Sequence, residues 1–211
     1  MPATLDVTIE AWEDGPAIPG RFAFCVPADE GHVTMGGNRS PPLAWSGAPA
    51  GTASFAVVCH DADLPSVPDD VNQEGRTISA ALARVDFYHW VLVEIPASAS
   101  GLAEGADSDG VTAGGKAPGP SAQGLRGIND FTDWFAGDEA MRGDYGGYDG
   151  PCPPWNDEIL HHDHFTVHAL EVASLSLGER FGAPEALAAM AGHVLAQGAW
   201  GGTYTLNPAL G

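Results

Sequence analysis

The segment Phe87–Ile95 (FYHWVLVEI) constrains the fold of this chain most. Aromatic and β-branched residues crowd it, and such residues pack well on a pleated, half-buried surface. A second run, Ser54–Cys59 (SFAVVC), is short and continuously apolar, as a strand covered on both faces must be. Leu5–Ala11 alternates apolar and polar residues with the period of a half-buried strand. Phe165–Val172 and the weaker Thr203–Leu206 complete the set. With 28 Gly and 17 Pro spread along 211 residues, structured turns between short strands are favoured over a helical bundle.

Helices are peripheral in this reading. Pro184 and Glu185 suit a helix start. Leu187, Met190, Ala191, Val194 and Leu195 then share a face, with Gly198 as the stop. A shorter helix is expected around Trp134–Met141. Long Gly/Pro-rich connections cover Leu64–Asp86, Ala97–Asn129 and Tyr145–Ile159, and loops of that length are usually functional or packed on the sheet. No repeat and no composition break divides the chain. The expectation is one mainly β domain over residues 1–211 with short helices at its edge.

Charge narrows the partners. A net charge of −20 repels phosphate backbones, which argues against nucleic acid or an anionic membrane as a broad electrostatic partner. Lys is almost absent, which fits either a GC-rich coding preference or adaptation to high salt. Three Cys in a chain this long are no disulfide framework, so Cys25, Cys59 and Cys152 read as reduced, buried small hydrophobes. The acidic, alternating start (MPATLDVTIEAWEDG) is unlike a signal peptide, and no transmembrane segment of about 18 apolar residues occurs. The expected compartment is the cytoplasm.

The polar residues able to do chemistry sit at strand ends. His60-Asp61-Ala62-Asp63 follows the run Ser54–Cys59, where the strand is expected to open into a loop. Asp61 and Asp63, two apart, point to one side while the chain stays extended. They could hold a cation, accept from an amine, orient imidazoles, or simply cap the loop through Asx-turns. His89 lies inside an apolar strand beside Trp90, as a core residue or a site residue. Strand alternation puts His161, Asp163 and Phe165 on one face, with His162, His164, Thr166 and His168 on the other. At most two imidazoles then converge, and no HExxH occurs, so no metal site is expected. Gly150-Pro151-Cys152-Pro153-Pro154 is a rigid turn, either a scaffold corner or a source of amides from Gly150 and Cys152. There is no GxSxG, P-loop or GxGxxG, and Cys152 has no neighbouring base, so no catalytic residue is assigned.

The order of these pieces resembles the phosphatidylethanolamine-binding protein (PEBP) family. The residues that carry the resemblance are Asn38–Trp45 (NRSPPLAW), then Ser54–Val58 leading into Asp61-Ala62-Asp63-Leu64-Pro65. Phe87–Leu92 (FYHWVL), Tyr148–Pro154 (YDGPCPP), His161 and Phe165–Leu170 (FTVHAL) follow in the family's order. The match runs roughly from Gly36 to Leu177 and is most similar to the bacterial branch described as Raf kinase inhibitor-like.

The resemblance implies a β-sandwich with a small pocket for phosphate, acetate-like anions or phospholipid head groups, and no cofactor. By motif the pocket falls on Asp61, His89, the Gly150–Pro151 turn and His161, with Asp63 orienting. Two imidazoles near Asp61 are expected to have raised pKa values, and Gly150 to offer a free amide. One position departs from the family: where a Tyr is usual, two residues after the pocket His, this chain has Asp163. A carboxylate there disfavours a dianion and favours an amine or hydroxyl; otherwise the register slips and His162 with His164 fill the two places. Three functions stay open on these grounds: binding of a small anionic ligand, a His/Asp acid–base hydrolase or lyase in the same pocket, and inhibition of a kinase or protease as protein target. A homodimer is compatible with each.

Overall fold

The computed structural model describes residues 2–178 and 180–211. In chain order the strands are β1 (Ala3–Thr4), β2 (Asp6–Thr8), β3 (Cys25–Pro27), β4 (Val33–Met35), β5 (Leu43–Ser46), β6 (Ser54–Pro65), β7 (Arg84–Pro96), β8 (Gly101–Leu102), β9 (Gly119–Pro120) and β10 (Leu125–Arg126). Helix α1 (Phe131–Trp134), strand β11 (His161–Leu170), helix α2 (Ala183–Met190) and strand β12 (Val194–Tyr204) complete the chain. The fold is mainly β, with short helices at its edge, as the strand-dominated sequence requires.

The large sheet has the order β1-β12-β11-β6-β7-β10-β9, antiparallel except where β1 runs parallel to β12. A three-stranded sheet, β2-β5-β8, shares its core: Val7, Leu43 and Trp45 are buried in one cluster with Phe55, Val57, Trp90, Leu92 and Phe165. Trp45 and Phe55 meet across this layer with ring centroids 5.2 Å apart. On the other face, Ala56, Val58, Val91 and Val93 are covered by Phe181, Ala186 and Met190 from α2 and its approach. Two-sided burial is why SFAVVC and WVLV carry no polar alternation. Each fully buried Leu, Val or Phe stabilises by roughly 1.5–3 kcal/mol.

Several elements differ from expectation. Strand β6 does not open at His60 but continues to Pro65, with its register against β7 shifting between Asp61 and Leu64. Helix α2 stops at Met190; Gly192 takes φ +87°, and Val194 begins β12, which pairs with β11 along nearly its whole length. The helical spacing of Leu187–Leu195 is thus overridden by a non-local partner. The helix expected at Trp134–Met141 lies earlier, at Phe131–Trp134. Cys25 and Cys152 are not free thiols: they form a disulfide, while Cys59 alone is free and buried. No helix among the described residues is long and apolar enough to cross a membrane.

Candidate functional site

Strand pairing sets the site. Asp163 of β11 stands opposite Asp61 of β6, and Asp61 stands opposite Phe87 of β7. The shift in register just after Asp61 separates the two carboxylates that extended spacing would have placed together. Asp61 turns inward: its Oδ2 lies 2.6 Å from His161 Nδ1, and its Oδ1 accepts the Asp63 N–H at 2.7 Å. Asp63 turns to the opposite strand face, where its Oδ2 accepts from the backbone N–H and ring of exposed His162.

Behind Asp61 runs a buried chain of charge. His161 Nε2 lies 3.2 Å from Asp157 Oδ2, and Arg84 grips Asp157 with both terminal nitrogens, at 2.5 and 2.9 Å. Burial alone would lower the His161 pKa, but bonds to Asp157 and Asp61 outweigh it and raise it to about 9. Burial likewise pushes Asp157 up, yet His161 and Arg84 hold it at about 2. His161 is therefore an imidazolium at neutral pH, flanked by carboxylates on both sides.

His89 behaves oppositely, which corrects the expectation of two raised imidazoles. Its Nδ1–H donates to the Asp149 carbonyl at 2.8 Å, fixing the neutral tautomer with its Nε2 lone pair free. Burial lowers its pKa to about 4. The Nε2 atom is 3.6 Å from Asp163 Oδ1, beyond hydrogen-bond length. Asp163 is fully buried and neither oxygen has a hydrogen-bond partner. Burial, and then the charge of Asp61, push its carboxyl well above the usual range, favouring the protonated acid. It does not present the charged group expected from its type.

The Gly150–Pro151 turn is held from behind. Gly150 N–H donates to Asn38 Oδ1 at 2.8 Å, so the amide expected to be free is occupied. Asn38 Nδ2 donates in turn to Asp149 Oδ1 at 2.7 Å, and Asp149 also accepts from Asn129 and Lys116. A Cβ on Gly150 would stand 2.0 Å from the Phe22 carbonyl oxygen, so only glycine fits there. The Pro151 carbonyl accepts from Phe24, and the Cys25–Cys152 bridge ties the same turn to β3.

These elements line a partly open recess whose walls include Asp61, His89, Leu64, Phe87, Phe131, Trp134, Asn72 and Cys152–Pro154. Of the residues singled out in the sequence, Asp61 and His89 face it. His161 stands behind Asp61, Asp163 beside His89 in the interior, and Gly150 and Pro151 behind the wall of Cys152, Pro153 and Pro154. The slipped register is not adopted: His162 is exposed, and His164 packs against His60 on the far face of the sheet. Sequence reasoning missed Asp157, Arg84 and the aromatic walls Phe131 and Trp134. Asp157 lies in the WNDEIL insert, where only its spacing of four from His161 was a signal. Among the described residues no group of three or more His, Cys, Asp or Glu side chains could hold a metal ion.

The chain and its fold have relatives among known proteins. The sequence profile described as Phosphatidylethanolamine-binding protein matches residues 8–205. The UPF0098 protein YbhB of Escherichia coli K12 is 32% identical over 168 residues, covering 79% of this chain and 78% of its own. Among solved structures, CT736 of Chlamydia trachomatis, described as a PEBP homologue, has a TM-score of 0.62 at 26% identity, covering 95% of this chain and 97% of its own. Escherichia coli YbcL, described as a new member of the mammalian PEBP family, has a TM-score of 0.65 at 24% identity, covering 96% and 99%, and bears on the fold alone.

Proposed function

Because the chain belongs to the phosphatidylethanolamine-binding protein family, we propose that the Asp61–His89 recess binds a small ligand of head-group size, such as a phospholipid head group or another small polar molecule. One observation carries this reading. Asp61 and His89 are the ionisable groups facing an otherwise largely apolar recess, and both are held rigid by buried partners behind them. Ligand sites are typically concave and apolar with a few fixed polar groups, and this recess has that character.

The test is a ligand titration followed by NMR and by thermal shift, using phosphoethanolamine, phosphate, acetate and ethanolamine. Saturable perturbation of His89 and Trp134 signals by any of these supports the reading. No perturbation by any of them would remove it.

A second reading rests on the divergent histidines. Titratable groups whose pKa values are pushed apart are the signature of an acid–base pair, and His89 at about 4 faces the same interior as His161 at about 9. Turnover of small esters or phosphoesters, abolished by His89→Gln with the fold intact, would favour an enzyme over a binding protein.

A further inference from the structure

We propose that the outer face of the large sheet carries a site for one divalent transition-metal ion, chelated by the imidazoles of His60 and His164 on the side opposite the recess. Strand alternation turns His60 away from Asp61 on β6 and His164 away from Asp163 on β11. The two histidines are directly opposite partners in that antiparallel pair. Side chains so opposed leave the sheet with Cβ atoms about 4.5–5.5 Å apart. His162 shares the face, but its ring is turned to Asp63, with Nδ1 2.7 Å from Oδ2.

The rings stand at chelating separation. Their centroids are 5.3 Å apart, with 34° between the planes. Metal–imidazole bonds of about 2.0–2.1 Å put a ring centre roughly 3 Å from the ion, so two rings on one tetrahedral ion stand about 5 Å apart. Turning about the side-chain bonds is what aims one nitrogen of each ring at a shared point.

Both rings are also uncommitted. Of the eight histidines, His32, His89, His161, His162 and His193 each hold a hydrogen-bond partner at 3.2 Å or less. Among the described residues neither His60 nor His164 has one. The Asp86 carboxylate beside His60 keeps its Oδ1 3.9 Å from Nε2, beyond hydrogen-bond length. His168 lacks a partner at Nδ1, but it is buried and stands opposite Ala56 and Gln197, with no second imidazole across from it.

Access and charge suit a cation. His60 and His164 are both partly exposed. Gly201, opposite His164 on the β12 side, adds no side chain, and an open hollow bordered by His162, His164, Asp14 and Trp200 begins there. A chain of net charge −20 concentrates cations at such a face. Among the described residues no third His, Cys, Asp or Glu converges on the pair, so water completes the coordination shell and the ion stays exchangeable. Neutral nitrogen ligands select the class: imidazole suits copper, zinc and nickel, whereas calcium and magnesium demand oxygen donors. Copper(II) is expected to bind most tightly of these.

The experiment uses the untagged full chain, stripped with EDTA and titrated with Cu²⁺ and Zn²⁺ at about pH 7.5, where imidazole is largely neutral. Calorimetry should show one Cu²⁺ per chain and weaker binding of Zn²⁺, and excess Ca²⁺ or Mg²⁺ should displace neither. Cu²⁺ is paramagnetic, so in NMR a substoichiometric amount should broaden the His60 and His164 ring signals first. His60→Gln and His164→Gln should each weaken Cu²⁺ binding by at least about tenfold, since even a lost supporting group behind a ligand costs that much. His193→Gln, an exposed histidine paired with Glu171, should leave the affinity unchanged.

Unchanged Cu²⁺ affinity in the folded His60 and His164 variants would overturn the proposal. So would broadening that begins at His32, His162 or His193 while His60 and His164 stay sharp, because the ion would then sit on a single exposed imidazole. Displacement of Cu²⁺ by Ca²⁺ would assign the cation to surface carboxylates and overturn it equally. If either variant fails to fold, the broadening pattern of the unaltered chain decides alone.

Discussion

His161 Nδ1 lies 2.6 Å from Asp61 Oδ2, joining two residues 100 positions apart. The imidazolium between Asp61 and Asp157 is what keeps two buried carboxylates tolerable in the interior. Removing one partner of such a buried arrangement typically costs about 3–5 kcal/mol, because the remaining charge is stranded. Asp157→Asn should therefore destabilise the protein by roughly 3 kcal/mol. It should also lower the His161 pKa from about 9 towards its ordinary 6.5. A ring titration by NMR with denaturant unfolding checks both, and an unmoved His161 would mean that Asp61 alone sets its charge.

The histidine contribution to stability should peak near pH 6.5. His161 is raised to about 9 in the folded state, so its contribution is present below 6.5 and is lost as pH climbs to about 9. The full excursion is worth roughly 3 kcal/mol at 1.36 kcal/mol per unit. His89 and His168 are lowered to about 4, so each withdraws stability as pH falls from 6.5 to about 4. Denaturant unfolding at about pH 6.5 and 8.5 should give the lower stability at the higher value, as His161 loses its proton. Stability that rises between about pH 6.5 and 8.5 would contradict this account of His161.

The Cys25–Cys152 bridge closes a span of 127 residues. In the chain-entropy account such a loop is worth about 5 kcal/mol, with about 2–5 kcal/mol the usual measured loss. Reductant, or the double change Cys25→Ser with Cys152→Ser, should lower the melting temperature. The untreated protein should show no thiol reactive to a small disulfide probe, since Cys59 is buried and its thiol is pushed well up. Persistence of the bridge in protein trapped from its source cell would point to an oxidising compartment, against the cytoplasm expected from the sequence.

Gly150→Ala should be among the most damaging single changes. Its methyl group would stand 2.0 Å from the Phe22 carbonyl oxygen, and the turn cannot yield without breaking the bonds to the Asn38 side chain and the Pro151 carbonyl. Gly137→Ala, with nothing within 4 Å, is the control. Unfolding midpoints should separate the two by several kcal/mol, on the scale of overpacked sites.

The strands Ser54–Cys59 and Phe87–Ile95 were legible because two-sided burial leaves a continuous apolar run in the sequence itself. Strand β12 was not, because Leu187–Leu195 continues a helical spacing and only pairing with β11 decides its state. In the site, the motif positions Asp61 and His89 did meet in one recess. Asp157 offered only its spacing of four from His161, since its role also depends on Arg84, 73 residues earlier. The opposite protonation of His89 and His161 was also illegible. Both are buried histidines on strands, and depth of burial against number of carboxylate partners decides between them only after folding.

The acidic composition should show in the salt dependence of stability. Of the few basic residues, Lys116, Arg84 and Arg126 are spent on the interior carboxylates Asp149, Asp157 and Asp107. Arg39 and Arg180 make exposed pairs that contribute little. Most surface carboxylates thus face one another across a net charge of −20. Exposed like charges are screened over a Debye length of about 10 Å at 0.1 M salt. Sodium chloride should therefore raise the melting temperature relative to dilute buffer. A plateau once screening saturates fits a coding preference for Arg over Lys, whereas a rise continuing into molar salt fits adaptation to brine. A curve flat from the start would mean the surface carboxylates do not repel, and the charge argument would fail.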